Sequence, residues 1–140
     1  MKKTNSMLAA VTAIGFATLC GSAFAMDKLM VSGSDQNVSG GTVTPVKINA
    51  GANGWLVVHR VKNDGKPGPV VGHAPLKKGM NSNVTAILTE PVKKGEKLML
   101  MLHGEEGGMK TGIFEYTLGA KEDGPVKVGG KLVMKVITAK

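Results

Sequence analysis

Turn signals interrupt this chain every eight to twelve residues from Leu29 onward, and that spacing leaves no room for long helices. Gly40-Gly41, Gly51-Ala52-Asn53-Gly54, Asn63-Asp64-Gly65, Lys77-Lys78-Gly79 and the segments 91–95, 104–108 and 120–125 all read as turns or loops. Between them lie short apolar or alternating runs at 29–32, 42–49, 55–61, 70–73, 83–88, 97–103, 112–118 and 131–138. None carries an apolar stripe of helical period with caps. Pro45 inside the second run points to an edge or a strand start, because proline cannot donate to a ladder. The runs at 55–61 and 70–73 flank the Asn63-Asp64-Gly65 loop and are expected to pair as a hairpin. Seven or eight such strands predict an all-β fold, an antiparallel two-sheet sandwich of immunoglobulin-like type. A cupredoxin-like Greek-key sandwich satisfies the same pattern.

The first 25 residues read as a leader rather than as part of the fold. Lys2 and Lys3 precede an apolar run over 7–20, which is too short for a typical membrane span. Ala23-Phe24-Ala25 is a small-x-small cleavage site, so cleavage is expected between Ala25 and Met26. Lipid attachment at Cys20 is disfavoured, because the flanking Ala17 and Leu19 stand in reversed order for it. The expectation is a signal peptide over 1–25 and one domain over 26–140, periplasmic or secreted, with no transmembrane segment after cleavage. Cleavage would leave 115 residues, with 16 basic against 10 acidic and no cysteine. Such a domain must be held by its core and not by disulfides.

Charge and ring content narrow the partners. The lysines are scattered, as on solubilising loops and edges. Arg60 is the chain's one arginine, and Trp55, Phe114 and Tyr116 are the aromatics after residue 25. Nucleic-acid binding and sugar stacking both need more than this, so an unknown protein or envelope partner is the expectation. No G-x-S-x-G, H-E-x-x-H or P-loop pattern occurs, and the domain is expected not to be an enzyme. Adjacent Glu105 and Glu106 lie in a glycine-rich loop and read as solvated.

The residues with chemistry to offer are His59, His73 and His103, each at or near a strand end, with Met99, Met101 and Met109. Imidazole is the commonest ligand for Zn, Cu and Ni, and thioether adds affinity for Cu(I). Met99, Met101 and His103 alternate with leucines and share one strand face. These six are the candidate metal ligands, with copper as the candidate ion. A type-1 blue copper centre is excluded, since it needs a thiolate. Strand spacing argues against one site: with the 55–61 and 97–103 runs antiparallel, His59 and His103 fall roughly 15 Å apart at ~3.3 Å per residue. His59 and His73 share a sheet face only if a bulge shifts their register. The reading expected over a metal site is that Met99 and Met101 fill the core and the histidines cap strands or hydrogen-bond locally, with Trp55 as a core anchor of the sandwich.

Gly54-Trp55-Leu56-Val57-Val58-His59, Pro67-Gly68-Pro69-Val70-Val71-Gly72-His73, Leu98-Met99-Leu100-Met101-Leu102-His103 and Asp123-Gly124-Pro125-Val126, with Asp35-Gln36-Asn37-Val38 before them, form an ordered set. Over residues 29–138 the set resembles an uncharacterised domain of exported archaeal and bacterial proteins, often found beside cupredoxin-like domains. In that family an acidic residue often follows the strand-ending His closely, whereas here Gly104 precedes Glu105 and Glu106. The resemblance implies an extracytoplasmic β-sandwich and brings no activity. The leading expectation is a non-catalytic binding or assembly module, recognising a partner through the loops 63–69 and 104–110. Alternatives are a small periplasmic copper-handling protein and a structural subunit joined through an edge strand at 131–138.

Overall fold

A computed structural model describes residues 28–45, 47–116 and 121–140; the expected leader at 1–25 lies outside them. The strands are β1 (Met30–Ser32), β2 (Thr42–Val43), β3 (Lys47–Ala50), β4 (Gly54–Val61), β5 (Pro67–Leu76), β6 (Gly79–Ser82), β7 (Ala86–Leu88), β8 (Lys97–Gly104), β9 (Lys127–Val128), β10 (Lys131–Leu132) and β11 (Met134–Thr138). There is no helix among the described residues. A six-stranded antiparallel sheet runs β11-β8-β4-β5-β7-β2, a three-stranded one runs β1-β3-β6, and β9 and β10 form a small hairpin. The chain is thus an all-β protein of packed antiparallel sheets.

Alternation sorts the long strands. Leu56 and Val58 of β4 lie opposite Leu102 and Leu100 of β8. They join Val31, Ile48, Val71, Ala74, Leu98 and Ile137 in the apolar core. Burying side chains of this size contributes about 1.5–3 kcal/mol each, which replaces the disulfides the domain lacks.

Several expected strands change on folding. The run at 42–49 breaks around Pro45, and its halves enter different sheets as β2 and β3. The strand expected at 70–73 extends to ten residues, starting from Pro67. β6 was not expected; its register against β3 includes Met80 opposite Asn49, and polar Asn81 and Ser82 hid it from apolar patterning. The strand expected at 112–118 is absent over 112–116, an irregular segment that sets the Phe114 and Tyr116 rings against the six-stranded sheet. Residues 117 and 118 lie outside the described residues.

β11 is an edge of the large sheet, as the assembly alternative required. Its outer rim is partly closed. Asp35 accepts a hydrogen bond from the Thr138 amide at 2.8 Å, and the Gln36 carbonyl accepts one from the Lys140 amide at 2.9 Å.

Candidate histidine-pair site

The other residues of β4 and β8 make a second buried surface on the large sheet. Trp55, Val57 and His59 stand opposite His103, Met101 and Met99 respectively. All six are buried, and none of the four apolar ones belongs to the core between the sheets. Trp55, expected as an anchor of that core, and Met99 and Met101, expected as its filling, therefore lie on its far side.

His59 and His103 converge across this surface. Their Nε2 atoms are 3.3 Å apart and their ring centroids 5.4 Å apart, so the rings meet nitrogen to nitrogen. The expected backbone register is present, yet the expected 15 Å gap is closed by the side chains. Strand side chains lean along the strand, and these two lean toward each other over Val57 and Met101.

Each ring is held by a carbonyl at its far nitrogen. His59 Nδ1 lies 2.9 Å from the Gly68 oxygen, and His103 Nδ1 lies 2.6 Å from the Asp123 oxygen. A carbonyl can only accept, so both Nδ1 atoms carry the hydrogen. A neutral imidazole has one N–H, which leaves both Nε2 atoms bare. Burial lowers the pKa of His59 against the opposing effect of the Gly68 bond. Burial also pushes His103 down to about 4, against the Asp123 carbonyl and carboxylate that favour its charged form. Two neutral rings therefore turn lone pairs toward one gap.

The local backbone explains both anchors. The β4–β5 ladder shifts register between Val58 and His59. There Gly68 lies so close to β4 that an added Cβ would stand 2.9 Å from the Arg60 oxygen. Glycine lets its carbonyl reach the His59 ring. Asp123 is buried and has φ 45°, a conformation that Asp tolerates better than most residues. Its main-chain oxygen holds His103. Its carboxylate accepts the Glu106 amide at 3.2 Å and the Glu115 amide at 2.8 Å. One residue thus fixes an imidazole and both ends of the loop above it.

That loop supplies a cover. The Tyr116 ring stands edge-on to His59 and His103 at 5.8 and 4.6 Å. Phe114 reaches His103 at 6.2 Å, His73 at 4.5 Å and Trp55 at 5.5 Å. Every aromatic and histidine after residue 25 joins this one cluster. Trp55 Nε1 is buried with no hydrogen-bond partner among the described residues.

The six sequence candidates thus separate. His59 and His103 meet, with Met99 and Met101 on the same face. His73 lies on that face too, opposite Val57. Its ring packs on Trp55 and Phe114, away from the Nε2 gap. Met109 is 90% exposed in the loop. Asp123, Gly68, Phe114 and Tyr116 were not foreseen as site residues. The Asp123-Gly124-Pro125 turn signal marked a tight bend, but nothing local said what it would touch. Among the described residues no three His, Cys, Asp or Glu side chains cluster as a metal site.

Residues 29–140 match the family profile described as Domain of unknown function (DUF7282). The chain belongs to the DUF7282 family. Comparison with curated proteins and with solved structures returned no match. The histidine pair, its two carbonyl anchors and the aromatic cover all fall within the DUF7282 domain. No helix among the described residues is long and apolar enough to cross a membrane.

Proposed function

We propose that the domain is a non-catalytic binding module whose ligand is a transition-metal cation held by Nε2 of His59 and Nε2 of His103. The observation that carries this reading is the pair of lone pairs facing one gap at 3.3 Å. Leaving a buried acceptor without a donor costs about 1–3 kcal/mol, and here there are two, turned on each other. A cation in the gap removes both costs. Two nitrogens bound at about 2.0–2.1 Å to a tetrahedral ion stand about 3.3–3.4 Å apart, so little movement is needed. The carbonyls on both Nδ1 atoms are the outer partners that orient metal-binding imidazoles and raise their basicity. The export pattern of residues 1–25 supports action outside the cytoplasm.

Calorimetric titration of the metal-stripped protein with Zn(II), Co(II) and, anaerobically, Cu(I) tests this. Saturable binding of one ion per chain, lost in His59→Ala and His103→Ala variants that keep the wild-type circular dichroism, is the expected result. If no ion binds, or binding ignores both changes, the histidine pair is structural. The edge-strand alternative has less support, because Asp35 and Gln36 already occupy part of the β11 rim.

A further inference from the structure

We propose that the ion selected by this site is monovalent and soft, Cu(I), with the thioethers of Met99 and Met101 as its further donors. This rests on the metal-site reading above and adds the identity of the ion.

Charge is the first argument. Both imidazoles are neutral ligands, and both are buried. The cost of placing an ion in a poorly polarisable interior rises with the square of its charge, so a dication pays about four times what a monocation does. Carboxylates normally offset that cost, and the nearby ones are engaged elsewhere. The Asp123 carboxylate accepts two loop amides. Glu105 accepts the Gly112 amide and Glu115 the Lys110 amide. Glu106 is exposed.

Donor type is the second argument. Zn(II) sites use four protein ligands, or three and a water, drawn from Cys, His, Asp and Glu. Only two such groups converge here. Soft thioethers select Cu(I), and Met99 and Met101 are the added donors that this face provides. Met99 is directly opposite His59, and Met101 is two residues from His103 on the same strand face. They are 2% and 1% exposed and stand outside the intersheet core. Methionine has three rotatable bonds and adapts its position readily. The Tyr116 and Phe114 rings cover the pair. Such a cover excludes the water and oxygen ligands that Cu(II) prefers in tetragonal geometry.

The test is NMR of the full-length wild-type protein, observing histidine side-chain nitrogens and methionine ε-methyl groups. The probes are Cu(I) under anaerobic conditions, Ag(I) as an air-stable monovalent substitute, and Zn(II). Cu(I) and Ag(I) should each shift Nε2 of both histidines and at least one of the two methyl groups, saturating at one ion per chain. Zn(II) at the same concentration should leave them in place. Met99→Leu and Met101→Leu nearly conserve volume and keep the fold; loss of a ligating thioether should weaken Cu(I) binding by about tenfold or more. Zn(II) binding as tightly at the same histidines overturns the selectivity and leaves the metal site standing. Unchanged Cu(I) affinity in both methionine variants overturns the thioether assignment. If no ion moves either imidazole, the metal-site reading itself falls.

Discussion

His103 is bound through Nδ1 to the main-chain oxygen of Asp123, 20 residues later in the chain, at 2.6 Å. The same Asp123 ties down the loop that carries Phe114 and Tyr116 over the imidazole pair. Ring orientation and cover are therefore one mechanical unit.

Removal of the Asp123 carboxylate should loosen that unit. Asp123→Ala deletes the acceptor of two amides and puts alanine at φ 45°. Hydrogen bonds to charged groups contribute about 1.5–3 kcal/mol each, so a loss of about 2–4 kcal/mol is expected after relaxation. Asp123→Asn keeps a residue that tolerates this conformation and should lose less. Denaturant unfolding gives the order, and hydrogen exchange at the Glu106 and Glu115 amides shows whether the loop is the part released. Equal, small losses in both variants would dissociate Asp123 from the loop.

The tautomers follow from the carbonyl anchors alone. At neutral pH, without metal, long-range proton–nitrogen spectra should show both His59 and His103 protonated at Nδ1 and bare at Nε2. Their Nδ1 protons should exchange slowly. An Nε2 proton on either ring would contradict the lone-pair arrangement.

Stability should fall with acid. The folded pKa of His103 is about 4, against an ordinary value of 6.5, and His59 is shifted in the same direction. Between those values the unfolded chain binds more protons than the folded one, so unfolding free energy rises with pH. The contribution is fully present above about pH 6.5 and is lost as pH drops toward 4. One pH unit corresponds to 1.36 kcal/mol, so His103 alone sets a loss of roughly 3 kcal/mol. Urea unfolding of the metal-free protein at pH 7, 5.5 and 4 measures it. A flat profile would mean that the two imidazoles take up protons in the folded state as readily as in the unfolded chain.

Gly68→Ala tests the second anchor. The new Cβ meets the Arg60 oxygen at 2.9 Å, a backbone atom that cannot swing aside, with the Lys62 side chain next at 3.5 Å. A loss of about 1–3 kcal/mol is expected from overpacking, together with a changed His59 Nδ1 resonance as its acceptor moves. An unchanged resonance would show that the carbonyl position does not depend on glycine.

Much of the fold was legible because its causes are local. Glycine and asparagine mark turns where they stand, and β4 and β8 show as apolar runs whatever surrounds them. Local signals misled where the outcome was set by a neighbour. Pro45 looked like a strand edge and became the break between two sheets. The alternation of Phe114 and Tyr116 looked like a strand, but those rings bury against Trp55, His73, His59 and His103 without a ladder.

By itself the sequence determined the class, an all-β domain without disulfides, and which residue types could bind a ligand. The alternation in 98–103 also determined that Met99, Met101 and His103 share a face. Only the tertiary structure decided that His59 meets His103, because their contact depends on how two side chains lean along paired strands. It likewise decided their tautomers, which are set by the carbonyls of Gly68 and Asp123. Those atoms belong to no side chain and leave no mark in a sequence. Their positions come from a ladder shift and a left-handed turn that bring distant backbone against the rings.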